Sequence, residues 1–137
     1  MMKRLSVLVI CLAIALLLAA CGGSAPSGPE AVSQTVAGYD DFRFEPADVT
    51  APEGAEVTIN FENEGVLEHS WVLVASSVDP LTATLEDALA GATSGTVPAG
   101  ESQTFTFTAP PAGDYTVVCT VPGHAAGGMV GTLTVNP

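Results

Sequence analysis

The chemistry of this chain is concentrated in one stretch, Cys119-Thr120-Val121-Pro122-Gly123-His124-Ala125-Ala126-Gly127-Gly128-Met129. A thiol, an imidazole five residues later and a thioether five residues after that share one loop. The only other histidine is His69, far upstream. Two imidazoles, one thiolate and one thioether suit copper in both of its common oxidation states. Soft sulfur favours Cu(I) and imidazole suits Cu(II). A site that suits both states reorganises little when one electron passes, so the expected chemistry is one-electron transfer. Singly, each residue has an ordinary role: buried cysteine acts as a small hydrophobe and methionine fills gaps. The metal assignment rests on their combination. Both histidines and the only cysteine after Cys21 take part, and three of the four side chains fit one turn.

Other chemistries fit less well. A multicopper oxidase or reductase needs further histidines, and the chain has only two. A Cys119–His124 hydrolase would need an acidic or amide residue to orient the histidine, and no motif supplies one. A copper-binding or delivery protein is the alternative to a carrier. Delivery favours exposed, exchangeable sulfur sites, whereas these ligands come from separate segments. The chain is therefore not expected to be an enzyme.

The elements that must hold these residues read as strands. Val57-Thr58-Ile59-Asn60-Phe61, Thr104-Phe105-Thr106-Phe107-Thr108 and Gly131-Thr132-Leu133-Thr134-Val135 alternate apolar and polar residues, the mark of a half-buried strand. Tyr115, Val117 and Cys119 share one face of another strand, and His69, Trp71 and Leu73 one face of a further one. Phe42 to Phe44 and Val49 to Ala51 are weaker strands. Turns at Pro52-Glu53-Gly54, Glu64-Gly65, Pro98-Ala99-Gly100 and Pro110-Pro111-Ala112-Gly113 separate them. Short strands at this spacing predict an antiparallel β-sandwich. One segment differs. Leu81, Leu85 and Leu89 recur every four residues after Asp79 and Pro80 and before Gly91. That spacing predicts a short amphipathic helix over 81–90, lying on one sheet.

With 137 residues there is room for one domain of ordinary size. Apolar residues make up 47% and charged residues 13%, too apolar a balance for a disordered chain. Three basic residues against fifteen acidic ones exclude nucleic acid as a partner, since phosphate binding needs basic clusters. Lys3 and Arg4, an apolar run from Leu5 to Ala20 and the sequence Leu18-Ala19-Ala20-Cys21 have the plan of a secretory signal. The end of this run resembles the bacterial lipobox. That resemblance implies a signal peptide over 1–20, a lipidated Cys21 and a tether over 21–34 rich in Gly, Ser and Pro. The folded domain is then expected over 35–137, extracytoplasmic and held to a membrane of the cell envelope. Cleavage before Cys21 leaves Arg43 as the only basic side chain, so a basic redox partner is expected.

Cys119-Thr120-Val121-Pro122-Gly123-His124 resembles the Cys-x-x-Pro-Gly-His ligand loop of azurin and auracyanin. His69-Ser70-Trp71-Val72-Leu73 is similar to the strand that carries the first ligand in the same family, the cupredoxins. The resemblance implies a Greek-key sandwich and one copper ion. The ligands would be His69, Cys119 and His124 with Met129 as a weak axial one, in a monomeric electron carrier. Ser70 stands where the family usually has Asn, whose side chain braces the ligand loops. Glu68 stands where azurin has Gly, which implies four-coordinate copper. Three further expectations follow. The N–H groups of Ser70 and Val121 should face the thiolate, Trp71 should be core, and electrons should leave by the edge of His124. An apolar patch including Val66 and Ala125 should surround that edge.

Overall fold

The computed structural model describes residues 28–137, so the leader with Cys11, and the first half of the tether with Cys21, lie outside the described residues. Among the described residues nine strands run in the order β1 (Val32–Tyr39), β2 (Arg43–Glu45), β3 (Asp48–Pro52), β4 (Glu56–Asn63), β5 (His69–Val74), β6 (Thr93–Val97), β7 (Ser102–Thr108), β8 (Gly113–Val118) and β9 (Val130–Asn136). They form two sheets, β2-β1-β4-β7 and β3-β9-β8-β5-β6. β1 begins at Val32, three residues inside the stretch expected to be tether. Val32 pairs with Val57 there, and that pairing orders it.

The alternating pattern places the core as expected. Val57, Ile59 and Phe61 of β4 face Trp71 and Leu73 of β5 and Leu133 of β9, all buried between the sheets. Trp71 is core, with Phe105 and Phe107 rings at 5.5 and 6.2 Å. Burying side chains of this size contributes about 1.5–3 kcal/mol each.

The sandwich is not wholly antiparallel. β1 runs parallel to β4, and β3 parallel to β9. Alternation fixes which face of a strand is buried but says nothing about the direction of its neighbour. The short strands β2 and β3 lie in different sheets, so the chain changes sheet between them.

The expected helix over 81–90 is absent. In its place stand two 3-10 turns, Leu85–Asp87 and Leu89–Gly91. Leu81 is 65% exposed, so the leucine stripe does not bury as a stripe. Asp79 does cap locally, its Oδ1 accepting from Leu81 N at 2.9 Å. The chain then restarts at Thr84, whose N–H and hydroxyl both donate to Asp87 Oδ2 at 2.8 and 2.9 Å. A ten-residue helix is marginal without a buried face, and these local bonds win. The segment still lies on one sheet. Val78, Ala83 and Ala88 cover Val72, Val74 and Val118 on its outer face, so β5 is buried on both sides. That double burial gives His69 a rigid base.

Candidate metal centre

His69 opens β5, and Cys119 follows the last residue of β8. The loop from Cys119 to Met129 closes as a continuation of the β8–β9 ladder. Val118 pairs with Val130, and Cys119 N donates to Met129 O at 3.1 Å. Inside it, Met129 N donates to His124 O and His124 N to Val121 O. Gly123 and Gly128 take φ of +88° and +109°, conformations that side chains resist. The loop therefore turns back tightly and aims His124 at the sulfur.

His69, Cys119 and His124 converge and are all buried. His69 Nδ1 lies 3.1 Å from His124 Nδ1, and Cys119 Sγ lies 3.5 Å from the same nitrogen. The three donor atoms fall within 4.8 Å of one another, slightly wider than the ~4 Å expected from metal bonds of about 2.0–2.3 Å. Two bonds of about 2.0 Å to nitrogens 3.1 Å apart would enclose roughly 100°, an ordinary angle for such a centre. Three lone-pair donors facing one point are an unfavourable arrangement unless a cation or shared protons sit among them. The donor set fits a single copper ion. Met129 is buried, with its methyl beside Gly38 of β1, where a Cβ would come within 3.1 Å of it.

The His124 ring titrates below the ordinary histidine range. Burial is the main cause and the charge of His69 adds to it, while Asp40 and Glu68 partly oppose. At neutral pH the ring therefore keeps a free lone pair.

The sulfur has one of its two expected amides. Ser70 N donates to Sγ at 3.4 Å. Val121 N–H makes no hydrogen bond to it among the described residues. The second donor is the Ser70 hydroxyl, 3.8 Å from Sγ. That hydroxyl also accepts from Thr120 N at 2.9 Å and lies 3.0 Å from Thr120 Oγ1. Serine thus braces the two ligand segments from β5. Beside it, the β5–β6 pairing shifts register between Ser70 and Val72, and Trp71 N donates to Ser94 Oγ at 2.9 Å. Irregularities of this kind re-aim side chains next to sites.

Two further residues reach the site from the turn between β1 and β2. Asp40 Oδ1 lies 3.0 Å from His69 Nε2, and its carboxylate accepts from Val66 N at 2.8 Å and Leu67 N at 3.2 Å. Chiefly through the Val66 bond, and also through Leu67 and His69, it titrates below the ordinary aspartate range. The Phe42 ring lies 4.8 Å from that of His124. Phe42 has φ of +61°, an uncommon conformation for a bulky residue, and Gly127 leaves the space its ring fills.

The sequence profile of copper-binding proteins of the plastocyanin/azurin family matches residues 31–136. Auracyanin-A of Chloroflexus aurantiacus is 34% identical, over 97% of this chain and 97% of its own length. The copper-resistant cuproprotein CopI of Rubrivivax gelatinosus is 31% identical, over 71% of this chain and 62% of its own. Among solved structures, the dithionite-reduced auracyanin of Roseiflexus castenholzii superposes with a TM-score of 0.69 at 28% identity. That match covers 80% of this chain and all of the other.

Proposed function

Because the chain belongs to the plastocyanin/azurin family of copper-binding proteins, the cupredoxins, we propose that it carries single electrons between redox proteins outside the cytoplasm. The observation that carries this is the buried meeting of His69, Cys119 and His124. These three would hold the copper, and Met129 would be a weaker fourth ligand. The metal supplies a one-electron couple. The chain supplies rigidity, because His69 starts a doubly buried strand and the other three lie on a loop closed by backbone bonds. Adding Cu(II) tests the proposal. Intense visible charge-transfer absorption and a reversible one-electron wave are expected. A colourless, exchangeable copper complex would instead favour copper handling, the alternative that the likeness to CopI keeps in view.

Electrons would leave by His124, which is 7% exposed while His69 is wholly buried. Around it lie Phe42 and the uncharged loop from Val121 to Gly128. The Asp40 bonds fasten Val66 and Leu67 to the same end, and Val66 is 83% exposed. An apolar surface of this kind permits brief docking, and outlying carboxylates would steer a basic partner from a distance. Val66→Lys, which both breaks the apolar surface and repels a basic partner, should slow electron transfer severalfold at an unchanged reduction potential. Stopped-flow kinetics would check this, and an unchanged rate would move the docking surface elsewhere.

Hydrogen bonds to the sulfur favour the reduced, more electron-rich site. Ser70→Ala removes the weaker donor and should lower the potential by about 20–60 mV, taking about 0.5–1.5 kcal/mol for the bond and 59 mV per tenfold. Voltammetry decides, and a rise would mean that the hydroxyl does not donate to sulfur. The carrier would be monomeric and held to the membrane by lipid on Cys21, a view that rests on Leu18-Ala19-Ala20-Cys21 closing the apolar run. Cys21→Ala should abolish incorporation of an alkyne fatty acid during growth. Labelling that persists would refute the anchor.

A further inference from the structure

We infer that Asp40 is a positioning residue that holds His69 with Nδ1 toward the metal and biases the copper toward Cu(II). The inference rests on the copper site proposed above. A carboxylate only accepts hydrogen bonds, so the 3.0 Å contact from Asp40 Oδ1 requires the proton on His69 Nε2. That leaves the Nδ1 lone pair facing His124 Nδ1 and the site. Metal-bound imidazoles are commonly fixed in this way by whatever accepts from their other nitrogen. Here the acceptor carries a full charge. Its side chain is 34% exposed, so the carboxylate keeps water on one side while meeting a wholly buried ring on the other.

The surroundings are shaped for this contact. Asp40 is itself held by Val66 N and Leu67 N. A Cβ at Gly65 would lie 2.0 Å from Asp40 Oδ1 and 3.1 Å from His69 Nε2. Gly65 has no positive φ, so its backbone does not demand glycine, but the space between carboxylate and imidazole does. The same turn sets Phe42 against His124, so Asp40 and Phe42 each meet one of the two imidazoles from outside. A negative charge beside a ligand ring stabilises the more positive ion, hence Cu(II).

Asp40→Asn keeps the shape and removes the charge. Its amide must either point a donor at Val66 N–H or turn round and offer a donor to His69 Nε2. The second choice favours the wrong tautomer. Two measurements on the full chain test the inference. In the metal-free protein, proton–nitrogen correlation spectra should find His69 protonated at Nε2, with that tautomer depleted in Asp40→Asn and in Gly65→Ala. In the copper-loaded protein, Asp40→Asn should raise the affinity for Cu(I) relative to Cu(II) on the order of tenfold, about 59 mV for one electron. Gly65→Ala displaces the carboxylate without removing it, should shift the potential less, and serves if Asp40→Asn fails to fold. A wild-type His69 protonated at Nδ1, or a folded Asp40→Asn with unchanged potential, would overturn the inference. If the wild type takes up no blue copper, the site proposal and the bias in potential fall together. The tautomer measurement still decides the positioning role.

Discussion

Replacing Cys119 with serine is expected to abolish the visible charge-transfer absorption and to leave a folded protein that binds copper weakly. The side chain is buried at the end of β8, and serine fits the same space. The hydroxyl does not ionise near neutral pH, so Ser70 N would face a neutral oxygen instead of a thiolate 3.4 Å away. The colour requires sulfur-to-copper electron transfer, which oxygen does not supply in the visible range. Hard oxygen also disfavours Cu(I). Losing a partner outside the ligand set typically costs about 10–100-fold in metal affinity, and losing a ligand should cost more. Absorption spectra, competitive copper titration and a thermal melt of the metal-free protein check the three parts. A variant that stays coloured would remove Cys119 from the site and the carrier proposal with it.

Much of this centre can be read directly from residue spacing. Cys119, His124 and Met129 lie on one loop, and sequence separation that short limits how far apart they can fold. His69 joins them because the alternation through Trp71 and Leu73 puts it on the inward face of a strand. What sequence does not carry is the contact made by turns. Asp40 is one of fifteen acidic residues, and nothing in its neighbourhood distinguishes it. It reaches His69 only because β1 pairs parallel with β4, which sets the turn after Tyr39 beside Gly65. Phe42 is hidden for a similar reason, since its value lies in a positive φ that no apolar pattern encodes. The expected helix shows the converse error. Leucines at four-residue spacing satisfied a helical template, but the Thr84–Asp87 bonds and exposed Leu81 belong to a strap across the sheet. Val121 keeps an N–H, and its place in the loop predicts a bond to the sulfur that the structure does not show. Both donors at the sulfur instead come from Ser70 of β5, its N–H and its hydroxyl.

Asn63→Ala should be among the most destabilising single changes outside the apolar core, at about 2–4 kcal/mol. Asn63 ends β4 and is almost wholly buried. Its Nδ2 donates to Leu67 O at 2.8 Å and Val97 O at 2.9 Å, and its Oδ1 accepts from Gly65 N at 3.0 Å. One side chain thus ties the loop before His69 to the end of β6. Each buried group left without a partner costs about 1–3 kcal/mol. The bond to Val97 O is fully buried and should carry the largest share, while water can partly replace the two at Leu67 and Gly65. Asn63→Asp should be at least as harmful, because a carboxylate would face two carbonyl oxygens and donate to neither. The loss is a large fraction of the roughly 5–15 kcal/mol typical of a domain. It should also reach the metal. Val66 N and Leu67 N hold Asp40 against His69, so a loosened loop frees the imidazole and copper should leave faster in the presence of a chelator. Denaturant titration measures the first effect and loss of colour the second. A fall in stability without faster copper loss would mean that β5 alone holds His69. A stability within about 0.5 kcal/mol of wild type, the range of ordinary surface changes, would mean that water satisfies all three groups.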